Sequence, residues 1–411
     1  MEDVQHLIEQ LKNASIPEKW NAFNQLSGLG SPAIQPLVDA ISETADTDIE
    51  EVLSVVEWES NGENQQLDEP FQAFQDLTTE SCWYILAATK IFSMIGDPAF
   101  ESILALTRHE SKAKCTWAAY TLGEMRANLA VPALMKLLDT LEDQARIWAI
   151  GALAKLKAFA AVDRLVELLQ DDDEYIQHVA AEALGEIGDE RALNPLIDDL
   201  KRHKHNVYAV SAALRRFGAL AVDKLIMVLE DENSQKVHHL VMMDLSFIGD
   251  RRAVLPILKR LEQTTDNRIQ SSAISALSML KAEETLEAIN RVMHTTQDIT
   301  LRYTAAKAIG EIGGEKAFKI LSDAYETGSF EVQHCAVLAM GSLSEVPNIQ
   351  LLLNALTSPN HYLRSGAAVT FGNLRDVRAV DALRVAQNDL DDDVRRYAAD
   401  ALKKIENGVG A

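Results

Sequence analysis

Asp244 has the surroundings in this chain that best fit chemistry. It lies in KVHHLVMMDLSFIGD (236–250), beside two histidines and two methionines. A carboxyl among apolar neighbours is costly to ionise, so it holds its proton to higher pH and can act as a general acid near neutrality. The structural alternative is an ion pair with Arg215, Arg216 or His239. His239 and Tyr208 are further proton carriers in the same part of the chain. Trp117, Trp148, Tyr175 and Tyr303 offer flat surfaces on which a ligand can stack. His178, Glu182, Arg215, Lys307 and His334 offer the charges that hold its polar ends. No group of residues has metal-ligand spacing, and the chain has no P-loop, HExxH or GxSxG. Helical-repeat metal hydroxylases use several His-Glu pairs, whereas His109-Glu110 stands alone.

Many of these residues recur at a fixed interval. The phrase ALGEIGD, ending at Asp189, has echoes ending at Asp97, Ala127, Ala158, Ala219, Asp250, Ala282, Gly314, Glu345, Asp376 and Asn407, in steps of 30 to 32 residues. Counted back from each mark, position −9 is always Ala or Val, and −5 and −2 are large and apolar. Offsets of three, four and seven define one face of a helix. A second amphipathic segment follows each mark, as in RALNPLIDDL and RAVLPILKRL, and glycines near the mark suit a helix C-cap. Such a unit cannot bury its apolar face alone, so neighbours must stack. The pattern therefore predicts an all-α, right-handed α-solenoid of two-helix repeats with a period of about 31 residues.

With the core face fixed, the opposite face of the same helix is fixed too, at −14, −11 and −7. Position −11 contains His178, Tyr208, His239, Tyr303 and His334; position −14 contains Trp83, Tyr175, His205 and Tyr362; position −7 adds Tyr120, Glu182, Met243 and Lys307. A solvated face would show Glu, Lys, Arg and Gln instead. This predicts a ligand groove on the concave side of the stack. Trp117 and Trp148 share position −10, which reads either as groove or as inter-repeat core. Asp244, at −6, is the one charge in an otherwise small or apolar column.

Composition narrows the partners. The chain has 62 acidic and 39 basic residues, a formal charge of −23, which repels phosphate backbones and argues against nucleic acid. Its three cysteines form no pair pattern, as expected in a reduced cytoplasm. No stretch approaches the length of a membrane span, and the N-terminus lacks the pattern of a secretory leader. Residues 1–41 read as an N-terminal helical repeat, 81–407 as the solenoid and 408–411 as a tail. Between them, 42–80 has 12 acidic residues and no Lys, Arg or His, with Trp58, Phe71 and Phe74 interspersed. It reads either as an acidic surface helix plus a flexible loop or as a lid or docking segment, in both cases without stacking contacts with the array.

The copies EYIQHVAAEALGEIGDERALNPLI (174–197) and DDDVRRYAADALKKI (391–405) resemble the HEAT-like repeats of phycobilisome lyases, the E/F-type enzymes that attach linear tetrapyrroles to phycobiliprotein cysteines. The resemblance covers roughly residues 80–407. Nearly the whole chain is repeat, as in single-chain lyases serving phycoerythrin, some of which also isomerise phycoerythrobilin to phycourobilin. It implies a bilin as substrate, no further cofactor, a phycobiliprotein subunit as acceptor, and a homodimer or second lyase subunit as open alternatives. Asp244, His239 and Tyr208 would then handle protons, and the remaining residues named above would hold the bilin. The competing class is a non-catalytic scaffold or chaperone that grips a protein in the same groove.

Overall fold

The structure is a computed structural model that describes residues 2–60, 80–140, 143–202, 206–344, 346 and 348–408. Phe71, Phe74 and His205 lie outside the described residues. Among the described residues every regular element is a helix and none is a strand. The chain divides into two compact units, Met1–Phe217 and Gly218–Ala411.

The first unit runs α1 (Glu2–Asn13), α2 (Ile16–Leu29), α3 (Ser31–Glu43), α4 (Asp46–Ser60), α5 (Glu80–Ile95), α6 (Phe100–Leu106), α7 (Lys112–Glu124), α8 (Val131–Leu137), α9 (Asp143–Lys155), α10 (Val162–Leu168), α11 (Glu174–Ile187), α12 (Leu193–Arg202) and α13 (Val207–Arg216). The second runs α14 (Ala219–Glu230), α15 (His238–Ile248), α16 (Val254–Gln263), α17 (Asn267–Met279), α18 (Leu286–Thr295), α19 (Ile299–Ile312), α20 (Gly314–Thr327), α21 (Phe330–Met340), α22 (Gln350–Leu356), α23 (His361–Leu374), α24 (Val380–Ala386) and α25 (Asp392–Gly408). Short 3-10 turns lead into many of the first helices.

The helices that end at the sequence marks form one layer in each unit. In the first, α5, α7, α9, α11 and α13 each pack on the next; in the second, α15, α17, α19, α21, α23 and α25 do the same. The intervening helices form the other layer and pack on the mark helix that follows them. This is the all-α solenoid of two-helix repeats that the periodicity predicts. Position −9, from Ala88 to Ala398, has no exposed surface in any repeat. Position −5 is buried throughout, from Phe92 and Leu122 to Leu402.

Where glycine stands at −4, the mark helices approach closely. A Cβ placed on Gly185 would lie 2.6 Å from the Ala213 Cα, and one on Gly123 would lie 3.0 Å from the Ala152 Cα. In the second unit Gly372 meets Ala401 at 3.0 Å, and Gly310 abuts the Ala339 backbone. Glycine at −4 thus receives alanine at −6 of the next repeat, and a single methyl group fills the gap.

Position −12 carries a donor that closes the turn between the two helices of a repeat. Gln177 donates to Asp171 O at 2.6 Å, Gln270 to Thr264 O at 3.1 Å and Gln333 to Tyr325 O at 2.9 Å. Arg364 and Arg395 reach Ser358 O (2.9 Å) and Asp389 O (2.7 Å), and the Cys115 thiol reaches His109 O (3.0 Å). His238 occupies the same position, its Nε2 3.2 Å from Val228 O and 3.1 Å from Asp231 O. These donors satisfy carbonyls left over near the C-terminal end of the preceding helix.

The acidic segment differs from its sequence reading. Residues 46–60 form α4, whose Ile49 and Val52 have no exposed surface and whose Leu53 is 4 % exposed. The helix packs on α5 and α7, and Asp46 accepts a hydrogen bond from the Ser111 hydroxyl at 2.6 Å. The spacing i, i+3, i+4 gives α4 an apolar stripe despite its charge, so this part of the segment belongs to the packed structure.

Gly185→Ala is expected to destabilise the protein by about 1–3 kcal/mol, although alanine is the better helix former, because the new methyl group collides with Ala213. Urea denaturation checks this; a stabilised variant would show that the helices separate easily. Val52→Asp should lower stability comparably by placing a charge in the α4 contact, and an unchanged midpoint would show that α4 is dispensable.

Candidate functional site

The face opposite the core is open along the mark helices, and most of the expected residues lie on it. In the first unit Tyr175 is 39 % and Tyr208 69 % exposed. The rings of Tyr175 and His178 stack on one helical turn, 6.2 Å apart and 4° from parallel. The His178 Nε2 lies 3.5 Å from a Glu182 carboxylate oxygen. Trp148 is half-buried and meets Tyr120 edge to face at 5.2 Å. The Lys155 ammonium lies 5.7 Å from the Tyr120 ring centre and also pairs with Glu124. Arg215 is half-buried.

In the second unit Tyr303 is 45 % exposed, and Lys307 pairs with Glu311 one turn on at 3.3 Å. His239 is half-buried. His334 sits between Phe330 and Tyr362, with ring centres 6.3 Å from each. Phe330 was not expected here; it lies one turn before His334, at −15, outside the columns used to define the face. Phe247 and Met279, 58 % and 43 % exposed, extend the apolar character to −3. That column is otherwise mostly charged or polar, with Glu186 bonded to Lys157 at 2.9 Å and also paired with Arg216.

Two expected site residues do not lie on this face. Trp117 has no exposed surface; its indole N–H donates to the Thr89 hydroxyl at 3.0 Å and its ring packs against Phe92. It is core, and no ligand on the open face touches it. Asp244 is 1 % exposed, so its carboxyl belongs to the interior of the repeat and is not presented to a surface ligand. Trp117 and Trp148 share a column, yet the first lies over Thr89 and Phe92 and the second over Tyr120, and that difference alone separates core from surface.

The two histidines titrate in opposite directions. The hydrogen bond to Glu182 holds His178 above its ordinary value, and the same contact holds Glu182 below the usual carboxylate range. Burial alone pushes His334 down. At neutral pH His334 is therefore an uncharged ring beside Phe330 and Tyr362. Burial also raises the Cys115 and Cys335 thiols, so neither is a ready thiolate. Among the described residues no group of His, Cys, Asp and Glu could hold a metal ion, and no helix is long and apolar enough to cross a membrane.

Comparison with known proteins agrees with this architecture. The HEAT repeats family matches residues 131–215, and the PBS lyase HEAT-like repeat matches 115–140 and 301–327. The chain thus carries HEAT-type repeats in both units. Kap121p is similar in fold, at 14 % identity and TM-score 0.58 over 98 % of this chain and 49 % of Kap121p, so the chain spans about half that protein's length. Importin beta gives 12 % identity and TM-score 0.51 over 99 % and 68 % of the two chains. The CpcE–CpcF complex of phycocyanin lyase from Nostoc sp. PCC7120 gives 22 % identity over 67 % and 92 %, with a TM-score of 0.27 that carries no structural argument. No curated protein matches in sequence.

The raised His178 value and the lowered Glu182 value make their contact strongest where both are charged, between about pH 4.5 and 6.5, the ordinary values of the two groups. The histidine's share is complete below pH 6.5 and is lost as pH rises through its folded value. The glutamate's share is complete above pH 4.5 and is lost as pH falls through its own. Both groups are nearly half exposed, so the stabilisation is under about 1 kcal/mol. An NMR titration should place His178 above 6.5 and His334 below it, and Glu182→Gln should return only His178 towards 6.5. Two histidines titrating together would contradict the assigned contacts.

Proposed function

We propose that this chain is a bilin lyase that holds a linear tetrapyrrole against the open face of its mark helices and presents it to a cysteine of a phycobiliprotein subunit. The observation that carries the reading is the run of exposed tyrosines and half-buried histidines at −14 and −11, where a merely solvated helix would carry charges. A bilin is long, flat and conjugated, with pyrrole N–H groups and two propionates. In the first unit Tyr175 and Trp148 give it surfaces to stack on, Glu182 can accept from pyrrole N–H groups, and His178 and Arg215 can pair with propionates; in the second, Tyr303 and His334 offer rings and Lys307 a cation of the same kinds. The match to the PBS lyase HEAT-like repeat favours the same substrate class.

In this reading the acceptor's thiolate adds to the ethylidene carbon of ring A. The C–S bond forms as the ethylidene π electrons move into the conjugated system, which takes up one proton, and nothing leaves. Holding thiol and bilin in register supplies most of the rate. With Asp244 buried, the proton falls to Tyr208 or His239, the proton carriers nearer the surface. The same groups would shift a proton between bridges if attachment is accompanied by isomerisation. The acceptor is phycoerythrin in the finer form of the proposal, and a homodimer or second subunit would complete the docking surface.

The likeness to Kap121p and importin beta, which is one of fold, keeps a second reading in view: a non-catalytic scaffold that grips a protein on the same face. Colour separates the two. On mixing with free phycoerythrobilin a lyase shifts and sharpens the bilin absorbance, and on adding apo-phycoerythrin subunit the colour stays with that subunit in a denaturing gel. Tyr208→Phe with His239→Gln should leave the absorbance shift intact and slow transfer by roughly 100-fold. An unchanged bilin spectrum with wild-type protein would favour the scaffold.

A further inference from the structure

We propose that Gly151 opens a slot on the first unit that receives a flat, conjugated, carboxylate-bearing ligand, and that this glycine determines what the slot accepts. Glycine inside a helix costs about 1 kcal/mol relative to alanine, so its presence in α9 needs a reason. Gly123, Gly185, Gly310 and Gly372 have one, since the next helix presses against each. Gly151 does not: a Cβ there would meet nothing within 4 Å, and the residue is exposed. Packing therefore gives no account of it.

What surrounds it does. Helix α9 lies between α7 and α11. One turn before Gly151 stands Trp148, edge to face with Tyr120 of α7, and one turn after it stands Lys155, over the same Tyr120 ring. The next helix, α11, presents Tyr175 and His178 as a nearly parallel pair. Gly151 thus leaves bare backbone on α9, one turn from the Trp148–Tyr120 pair, on a helix that packs against the one carrying Tyr175 and His178. Rings on either hand suit a flat conjugated body. Lys155 on one side and His178, whose proton affinity the Glu182 hydrogen bond raises, on the other suit carboxylates at its ends. The slot stands on this geometry; that its ligand is a bilin rests on the proposed lyase function.

The test uses the full chain with two probes, phycoerythrobilin and 1-anilinonaphthalene-8-sulfonate, the second being flat and anionic without being a tetrapyrrole. Gly151→Ala and Gly151→Leu should each raise the melting temperature by about 2 °C, because the helix gains propensity without a collision. The Leu variant should weaken binding of any probe the wild type binds by tenfold or more, with Ala between. Gly28→Ala, at the other described helical glycine of the first unit with open surroundings, should bind like wild type. If Gly151→Leu binds as tightly as wild type, the slot is wrong while the lyase reading survives. If wild type binds only the anilinonaphthalene and Gly151→Leu abolishes this, the slot stands and the bilin reading fails. Binding of neither probe by wild type overturns both.

Discussion

The close packing of each mark helix on the next is the constraint on which the rest of this protein depends, and it is tightest where glycine at −4 meets alanine at −6 of the following repeat. It brings neighbouring mark helices together until backbone nearly meets backbone, as Gly185 and Ala213 do. At that separation the core columns at −9 and −5 close completely. The layer is then held by packing on one side of each helix, and the opposite side is left for other residues. The freedom to place tyrosine and histidine at −14 and −11 follows from this division of the helix surface.

A second device keeps the repeats in register. In most repeats the donor at −12 ties the mark helix to the carbonyls of the helix before it, using Gln, Arg, His or Cys according to what the repeat supplies. Aspartate at the mark caps the next segment, as Asp189, Asp250 and Asp376 do through the backbone N–H two residues on. Arg191 and Arg252, at those positions, reach back to Asp163 and Asp223 of the preceding repeat. His238 and Cys115 thereby acquire structural explanations, and neither needs a part in catalysis.

The fold was legible because periodicity is a property of many residues at once: one aberrant position does not hide a column of Ala and Val. Site residues were legible only as a face. Trp148, Tyr175, His178 and Tyr303 lie where helical spacing puts them. For Trp117 the sequence leaves core and groove both open because its column borders the two, and its surroundings in the preceding repeat are Phe92 and Thr89, where those of Trp148 are Tyr120. Helix α4 was misread because its charge obscured the spacing of Ile49, Val52 and Leu53. Asp244 is a carboxyl whose apolar sequence neighbours suggest chemistry, and the structure places it in the interior of its repeat. The −12 donors carried a signal in the sequence, a polar residue seldom out of place, that an apolar pattern search passes over.

A crystal structure of the chain with phycoerythrobilin bound tests most directly whether packing and ligand contact are divided between opposite faces of the mark helices. The tetrapyrrole is predicted to lie on the open face, in contact with tyrosines or histidines at −14 and −11, with the glycine–alanine contacts unchanged beneath it. A bilin seated on the intervening helices, or wedged between mark helices with those contacts broken, would contradict this division.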